Sequence, residues 1–249
     1  MDYGICSLSV VPLRLEPSDR SEMVSQILYG ELFKVLEIRK KWSRIRLDFD
    51  GYEGWLDNKQ IHKISEDDFL IESSKKNILS KDFIDFVSNK QKQLISICIG
   101  SRVNSCDLVE HAFEGKSTTG IFSKKHLLDT ALHYLNAPYL WGGKSPLGID
   151  CSGFTQMVYK LNGYELLRDA SQQASQGEPL SFIEECEPGD LAFFDNSEGV
   201  ITHVGIMMED NYIIHAHGKV RIDRIDHSGI YNQESRTHTH KLRVIKKII

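Results

Sequence analysis

One cysteine in this chain sits where a glycine-rich stretch gives way to a helical pattern. Residues 139–153, from Tyr139 through Trp141-Gly142-Gly143 and Asp150-Cys151-Ser152 to Gly153, hold four glycines, a proline and two aromatics. Beyond them Phe154, Met157, Val158 and Leu161 recur at i, i+3, i+4 and i+7, which predicts a helix. Cys151 then falls in the first helical turn, among backbone N–H groups with no intrahelical acceptor. The dipole there favours a thiolate, the form of cysteine that attacks carbonyls. Glycines without side chains let backbone approach a ligand closely. The expected chemistry is nucleophilic catalysis by Cys151 at a helix N-terminus.

Such a cysteine needs a base, and two histidines lie in strand-like runs downstream. His203 stands in Val200-Ile201-Thr202-His203-Val204-Gly205-Ile206, and His215 in Tyr212-Ile213-Ile214-His215-Ala216. Asp210-Asn211 between the runs reads as a tight turn, so a hairpin is expected, with both rings on one face. Cys151 as nucleophile, His203 as base and His215 as its orienter complete the logic of a triad. His217, two residues on and by period two on the same face, is a rival for the third position.

At Tyr139-x-Trp141-Gly142-Gly143, Asp150-Cys151-Ser152-Gly153-Phe154, Pro188-Gly189-Asp190-Leu191, His203-Val204-Gly205-Ile206 and Ile214-His215-Ala216 the chain resembles the NlpC-type cysteine peptidases of bacterial cell-wall peptides. The resemblance covers roughly residues 120 to 249. It implies an α+β fold in which a circularly permuted papain-like catalytic domain is preceded by a small SH3-like β-barrel. The activity it implies is that of γ-D-glutamyl-L-diamino acid endopeptidases (dipeptidyl-peptidase VI-like). These cut between D-γ-Glu and a diamino acid, meso-diaminopimelate or L-Lys, in peptides with a free N-terminal L-Ala.

The rest of the chain fits that expectation. Its 249 residues are 41% hydrophobic and 26% charged, ordinary for a globular protein of one large or two modest domains. A formal net charge of −5 argues against a nucleic-acid or anionic-membrane partner. Lys241, Arg243, Lys246 and Lys247 alternate with Leu242, Val244 and Ile245 as in a final strand. Neither a signal peptide nor a span of roughly 20 apolar residues is visible, so the chain as given reads as cytoplasmic; a trimmed sequence would instead be secreted or periplasmic. Five scattered cysteines, Cys6, Cys98, Cys106, Cys151 and Cys186, fit reduced thiols. No cofactor, no metal and a monomer are expected.

Residues 1–64 contain five short strand-like runs with turns between them, as in a small antiparallel barrel. Leu13-Arg14, Gln26-x-x-x-Gly30-Glu31, Trp42 and Gly54-Trp55 resemble the bacterial SH3-like domains that precede many NlpC-type domains. In such relatives this domain narrows the substrate cleft, and by position Glu22 and Tyr52 resemble the Glu and Tyr that bind the peptide's free amine. Residues 65–120 read as a connector or a degenerate second SH3-like unit. Within them Asp82–Val87 resembles a short helix and Leu94–Ile99 a strand. The catalytic domain is expected over 121–249, opening with a helix capped by Ser123. His126 and His133 on that helix read as packing or surface residues, and Asp190 as a turn residue.

The resemblance assigns further roles: Asp150 as anionic partner of the substrate ammonium, helped by Ser152, Glu22 and Tyr52; Ser171 as a contact of the substrate's acidic residue; Tyr139 as an oxyanion donor beside the Cys151 N–H; Trp141 as part of the groove. Asp150 also suits a plain helix cap. Three other functions share these residues. An acyltransferase or amidase would use the same thioester, a wall-peptide binding module would leave Cys151 idle, and a zinc enzyme would take Cys151 and the two histidines as ligands.

Overall fold

The computed structural model describes residues 2–249, which divide into two compact units. One runs to Gly120 and takes in 141–146; the other comprises 121–140 and 147–249.

The first unit is built on seven antiparallel strands: β1 (Asp2–Ile5), β2 (Val10–Arg14), β3 (Met23–Leu28), β4 (Leu32–Ile38), β5 (Trp42–Leu47), β6 (Glu53–Asp57) and β7 (His62–Ile64), in spatial order 3-2-6-5-4-1-7. All five expected runs are strands, and β1 and β7 extend the sheet. Alternation along β5, with Ser43, Ile45 and Leu47 inward and Arg44 and Arg46 outward, marks a sheet with one wet face. The inward set meets Val11, Leu13, Ile27 and Phe33 in one core.

Ser65 caps helix α1 (Glu66–Ser73) through its hydroxyl, which accepts the Asp68 N–H. A two-residue strand, β8 (Leu79–Ser80), pairs with β12 (Ser117–Thr118). Between them β9 (Ile84–Asn89) pairs with β10 (Leu94–Cys98) and β11 (His111–Phe113). The segment expected as a short helix at 82–87 is therefore mostly strand. Phe83, Phe86 and Val87 have helical spacing, but cross-strand partners on both sides of β9 decide the matter. Val87 and Ile97 share a core with Tyr3, Ile5, Tyr29 and Leu32, so residues 65–120 pack on the barrel strands as one body. The short strand β13 (Lys144–Ser145) also belongs to this unit, its Lys144 N–H donating to Gln26 Oε1 at 2.8 Å.

The second unit opens with α2 (Lys124–His133) behind Ser123, as expected. β14 (Gly148–Ile149) leads into α3 (Cys151–Leu161), whose eleven residues are all buried. Burying the Phe154, Met157, Val158 and Leu161 side chains contributes roughly 1.5–3 kcal/mol each. The short α4 (Ala170–Gln173) follows, then β15 (Glu178–Leu180), β16 (Leu191–Asp195), β17 (Ile201–Met207), β18 (Tyr212–His217), β19 (Lys219–Asp226), β20 (Gly229–Asn232) and β21 (Thr237–Lys247). Long β21 pairs with β16 through its C-terminal half and with β20 through its N-terminal half, so six strands close into a ring. Ala192, Phe194, Met207, Ile213, Ile225, Ile230 and Ile245 fill one face of that ring. By the period of two, His203 shares a face with Met207, His215 with Ile213, and Asp223 with Ile225. His240 lies directly opposite Ile230. Four polar side chains thus continue an otherwise apolar interior.

Candidate active site

Cys151 opens α3. Asp150 precedes it as N-cap, with extended backbone and a carboxylate that accepts the Gly153 N–H at 2.6 Å. The thiol is 6% exposed. Burial pushes its pKa up to about 12, and the charge of Asp150 adds to this; backbone hydrogen bonds at Val204 and Ser152 and the charge of Arg168 pull the other way. Desolvation and the neighbouring carboxylate thus both favour the neutral thiol, against the thiolate expected from the helix terminus.

Asp150 is itself clamped. Arg168, 1% exposed, reaches Asp150 Oδ1 at 3.0 Å and Oδ2 at 2.7 Å, and donates to Ser152 Oγ at 2.9 Å. Gln173 on α4 ties the same turn down by donating to the Ser152 carbonyl at 3.0 Å. The sequence reading missed Arg168, which looks like a surface charge between a leucine pair and α4. Ser171 lies exposed on α4.

The hairpin forms as expected, with both rings on one face. His215 pairs directly with Gly205, which puts His203 on the diagonal rather than opposite. A Cβ on Gly205 would stand 2.7 Å from Ile213 Cδ1 and 2.9 Å from His215 Cβ, so glycine is what lets the His215 ring lie there. His203 Nε2 meets His215 Nδ1 at 2.8 Å, the rings nearly perpendicular at 86°. The ring bonded to His203 is thus that of His215; His217 lies exposed, its centroid 6.5 Å from that of His203. His203 is 6% exposed and His215 fully buried. Burial holds His203 well below the ordinary histidine value, reinforced by His215, His240 and His217. Burial lowers His215 as well, against the opposing pull of Asp223.

Three further residues complete the cluster, and none carried a sequence signal. Asp223 on β19 meets His215 Nε2 through Oδ2 at 3.0 Å. Arg221 grips the same carboxylate with both arms, Nε to Oδ2 at 2.7 Å and a terminal nitrogen to Oδ1 at 3.0 Å. Burial works to raise the Asp223 pKa, but the bonds from His215 and Arg221 prevail and hold it below its ordinary value. His240 on β21 stacks on His203 at 4.1 Å and 25°. Its own pKa is lowered to about 4 by burial, then by His215 and His217.

Tyr139 is half-buried. Burial pushes its hydroxyl up to about 12, with Cys151 and Asp150 contributing charge, so it remains a donor across the working range. In the first unit, Trp141 Nε1 donates to Glu22 Oε1 at 2.6 Å, bringing together two residues that the sequence picked out separately. Tyr52 packs on the barrel core. The buried Lys144 ammonium pairs with Glu31 at 3.2 Å.

Residues 136–241 match the NlpC/P60 family, and residues 13–61 match the bacterial dipeptidyl-peptidase SH3 domain. The chain carries an NlpC/P60 domain, the domain of a cysteine peptidase family. It is 29% identical over 218 residues to gamma-D-glutamyl-L-lysine dipeptidyl-peptidase of Bacillus subtilis (strain 168), an alignment covering 77% of this chain and 71% of that one. It is 27% identical over 268 residues to dipeptidyl-peptidase 6 of Lysinibacillus sphaericus, covering 90% and 93%. An NlpC/P60 family protein from Bacillus cereus ATCC 10987 has the same fold, with a TM-score of 0.78 over 99% of both chains at 17% identity. An NlpC/P60 endopeptidase from Photobacterium damselae subsp. piscicida gives 0.71 over 97% of this chain and 70% of that one, again at 17%. Among the described residues, no helix is long and apolar enough to cross a membrane.

Proposed function

We propose that this peptidase hydrolyses the γ-D-Glu–diamino acid bond of bacterial cell-wall peptides that begin with a free L-Ala, releasing L-Ala-D-Glu. The observation that carries the reading is the buried His203–His215 bond on the strands that pack against the Cys151 helix. It occurs in a chain whose relatives of similar length are named for this dipeptidyl-peptidase activity.

In the proposed mechanism His203 Nε2 is engaged by His215, which leaves Nδ1 for the thiol. As Sγ attacks the γ-carbonyl, the thiol proton passes to His203 Nδ1 and a C–S bond forms. Burial favours the neutral form of both partners, so in this mechanism His203 acts as a general base during attack. The oxyanion is met by the Cys151 N–H and the Tyr139 hydroxyl. Collapse breaks the C–N bond, and the imidazolium returns its proton to the leaving amine. Water then attacks the thioester, giving its proton to His203; the C–S bond breaks, the acid leaves and Sγ recovers its proton.

Ser171 is the proposed contact of the substrate's acidic residue, and Asp150, helped by Ser152, Glu22 and Tyr52, that of its ammonium, with Trp141 as part of the groove. Arg168 offsets the charge of Asp150, whereas Glu22 is exposed and meets only the neutral indole N–H of Trp141 among its hydrogen-bonding partners on the described side chains. Glu22 is therefore the stronger partner for a cation. The test is mass-spectrometric digestion of L-Ala-γ-D-Glu-L-Lys and its meso-diaminopimelate counterpart, each free and N-acetylated, with Cys151→Ala as control. Release of L-Ala-D-Glu from the free peptides alone is expected. Equal cutting of acetylated peptides removes the ammonium roles, and no cutting of any peptide overturns the substrate assignment.

A further inference from the structure

The His203–His215 bond does not end at His215. Asp223 lies beyond it, and the partly exposed Arg221 beyond Asp223, so four side chains from β17, β18 and β19 form one line. We propose that Asp223, pinned by Arg221, is a positioning residue for the peptidase reaction: it fixes the tautomers of His215 and His203 so that the ring nitrogen left to Cys151 is always the unprotonated one.

An arginine only donates, so both Asp223 oxygens must accept from Arg221. Asp223 Oδ2 is then an acceptor for His215 as well, and His215 Nε2 must carry a proton. In a neutral ring that leaves Nδ1 bare. A bare His215 Nδ1 at 2.8 Å requires a proton on His203 Nε2, which in turn leaves His203 Nδ1 bare. The basic nitrogen at the thiol is thus set three residues away. When His203 takes the thiol proton, the Asp223 charge stabilises the imidazolium through His215 without receiving the proton itself.

The residue types and spacing agree with this role. A carboxylate buried to 4% exposure and shared between a histidine and an arginine is costly unless both bonds persist. The titratable and charged groups around the pair are His217 on β18, Arg221 and Asp223 on β19, Glu234 beyond Arg221, His240 on β21, and Cys151, whose thiol meets the backbone at Val204. Of these only Asp223 bonds a ring nitrogen of His215 opposite His203.

The inference rests on the proposed Cys151–His203–His215 machinery, and its test reads separately from that proposal. Histidine-selective 15N NMR of the substrate-free protein assigns tautomers directly. Both His203 and His215 are expected as Nε2–H forms. In Asp223→Asn, whose amide can donate or accept, a mixed population is expected. The same variant should lose kcat by roughly 10- to 100-fold with KM nearly unchanged, less than the ~10⁴-fold loss when the residue orienting the base directly is neutralised. The acid limb of kcat should move to lower pH, because a base without the distant carboxylate is weaker; mere loosening of the fold would raise it. Asp223→Glu should restore part of the rate, and Arg221→Gln should shift both readouts in the same direction by less. Wild-type His203 found as the Nδ1–H form, or an Asp223→Asn protein with wild-type tautomers or wild-type kcat, overturns the inference. Activity surviving in Cys151→Ala would instead sink the catalytic assignment and leave the tautomer result standing.

Discussion

Two aspartate–arginine pairs are buried in the second unit, and they differ in what lies at the far end. Asp150 is held by Arg168 and also accepts from the Gly153 N–H and the Ser152 hydroxyl, groups that stay as they are at any working pH. Asp223 is held by Arg221 in the same two-armed way, but its free side faces His215 and, through it, His203. The first pair is closed and fixes the backbone turn that carries the thiol. The second is open through two titratable rings and governs where a proton sits. One chemical device, a carboxylate gripped by a guanidinium, serves as a clamp in one place and as a setting for a base in the other.

The comparison breaks most readily at the closed pair. Arg168→Met leaves Asp150 buried with no cation, and a buried charge stripped of its partner costs on the order of 3–5 kcal/mol. A matching drop in urea-unfolding free energy is expected. Arg221→Met should cost less, since Arg221 is partly exposed and Asp223 keeps His215. Equal losses would mean that the two pairs are both simply structural. Next in size, Gly205→Ala forces a methyl against His215 and Ile213 and should destabilise by about 1–3 kcal/mol, with kcat falling because the His215 ring must move.

A pH titration sharpens the contrast further. His240 has its pKa lowered from 6.5 to about 4, so between those values the unfolded chain binds a proton that the native state refuses. Stability should therefore fall as pH drops from 6.5 toward 4, and His240→Phe should flatten that fall when thermal unfolding is followed across the range. An unchanged slope would remove His240 from the buried cluster. The smallest expected effect lies in the first unit. Glu22→Gln should raise KM for the free-amine peptide several-fold, a loss of about 1 kcal/mol for one exposed charge contact, and leave kcat alone.

How much of this was legible depended on whether the signal was local. The α3 period, the Asp150 cap and the β17–β18 hairpin are written in consecutive residues, and the sequence places them within a residue or two of their observed bounds. Asp223 is not legible in that way. In Val220-Arg221-Ile222-Asp223-Arg224-Ile225 it looks like one more charge on the wet face of an alternating strand, and only the ring closed by β21 turns that face inward. His240 and Arg168 were hidden for the same reason, since their partners lie far off in sequence. Lys144 shows the converse: an ammonium in a glycine-rich loop, read as part of a groove, is fully buried on Glu31. The 82–87 segment misled because helical spacing of its aromatics coincided with a strand whose partners come later in the chain.

The most direct test of the account is to trap the covalent step. Wild-type protein mixed with L-Ala-γ-D-Glu-L-Lys, quenched in acid within milliseconds and read by intact mass and peptide mapping, should carry an L-Ala-γ-D-Glu acyl group on Cys151 that disappears as the dipeptide is released. An acyl group on any other residue, or turnover of the same peptide by Cys151→Ala, would contradict it.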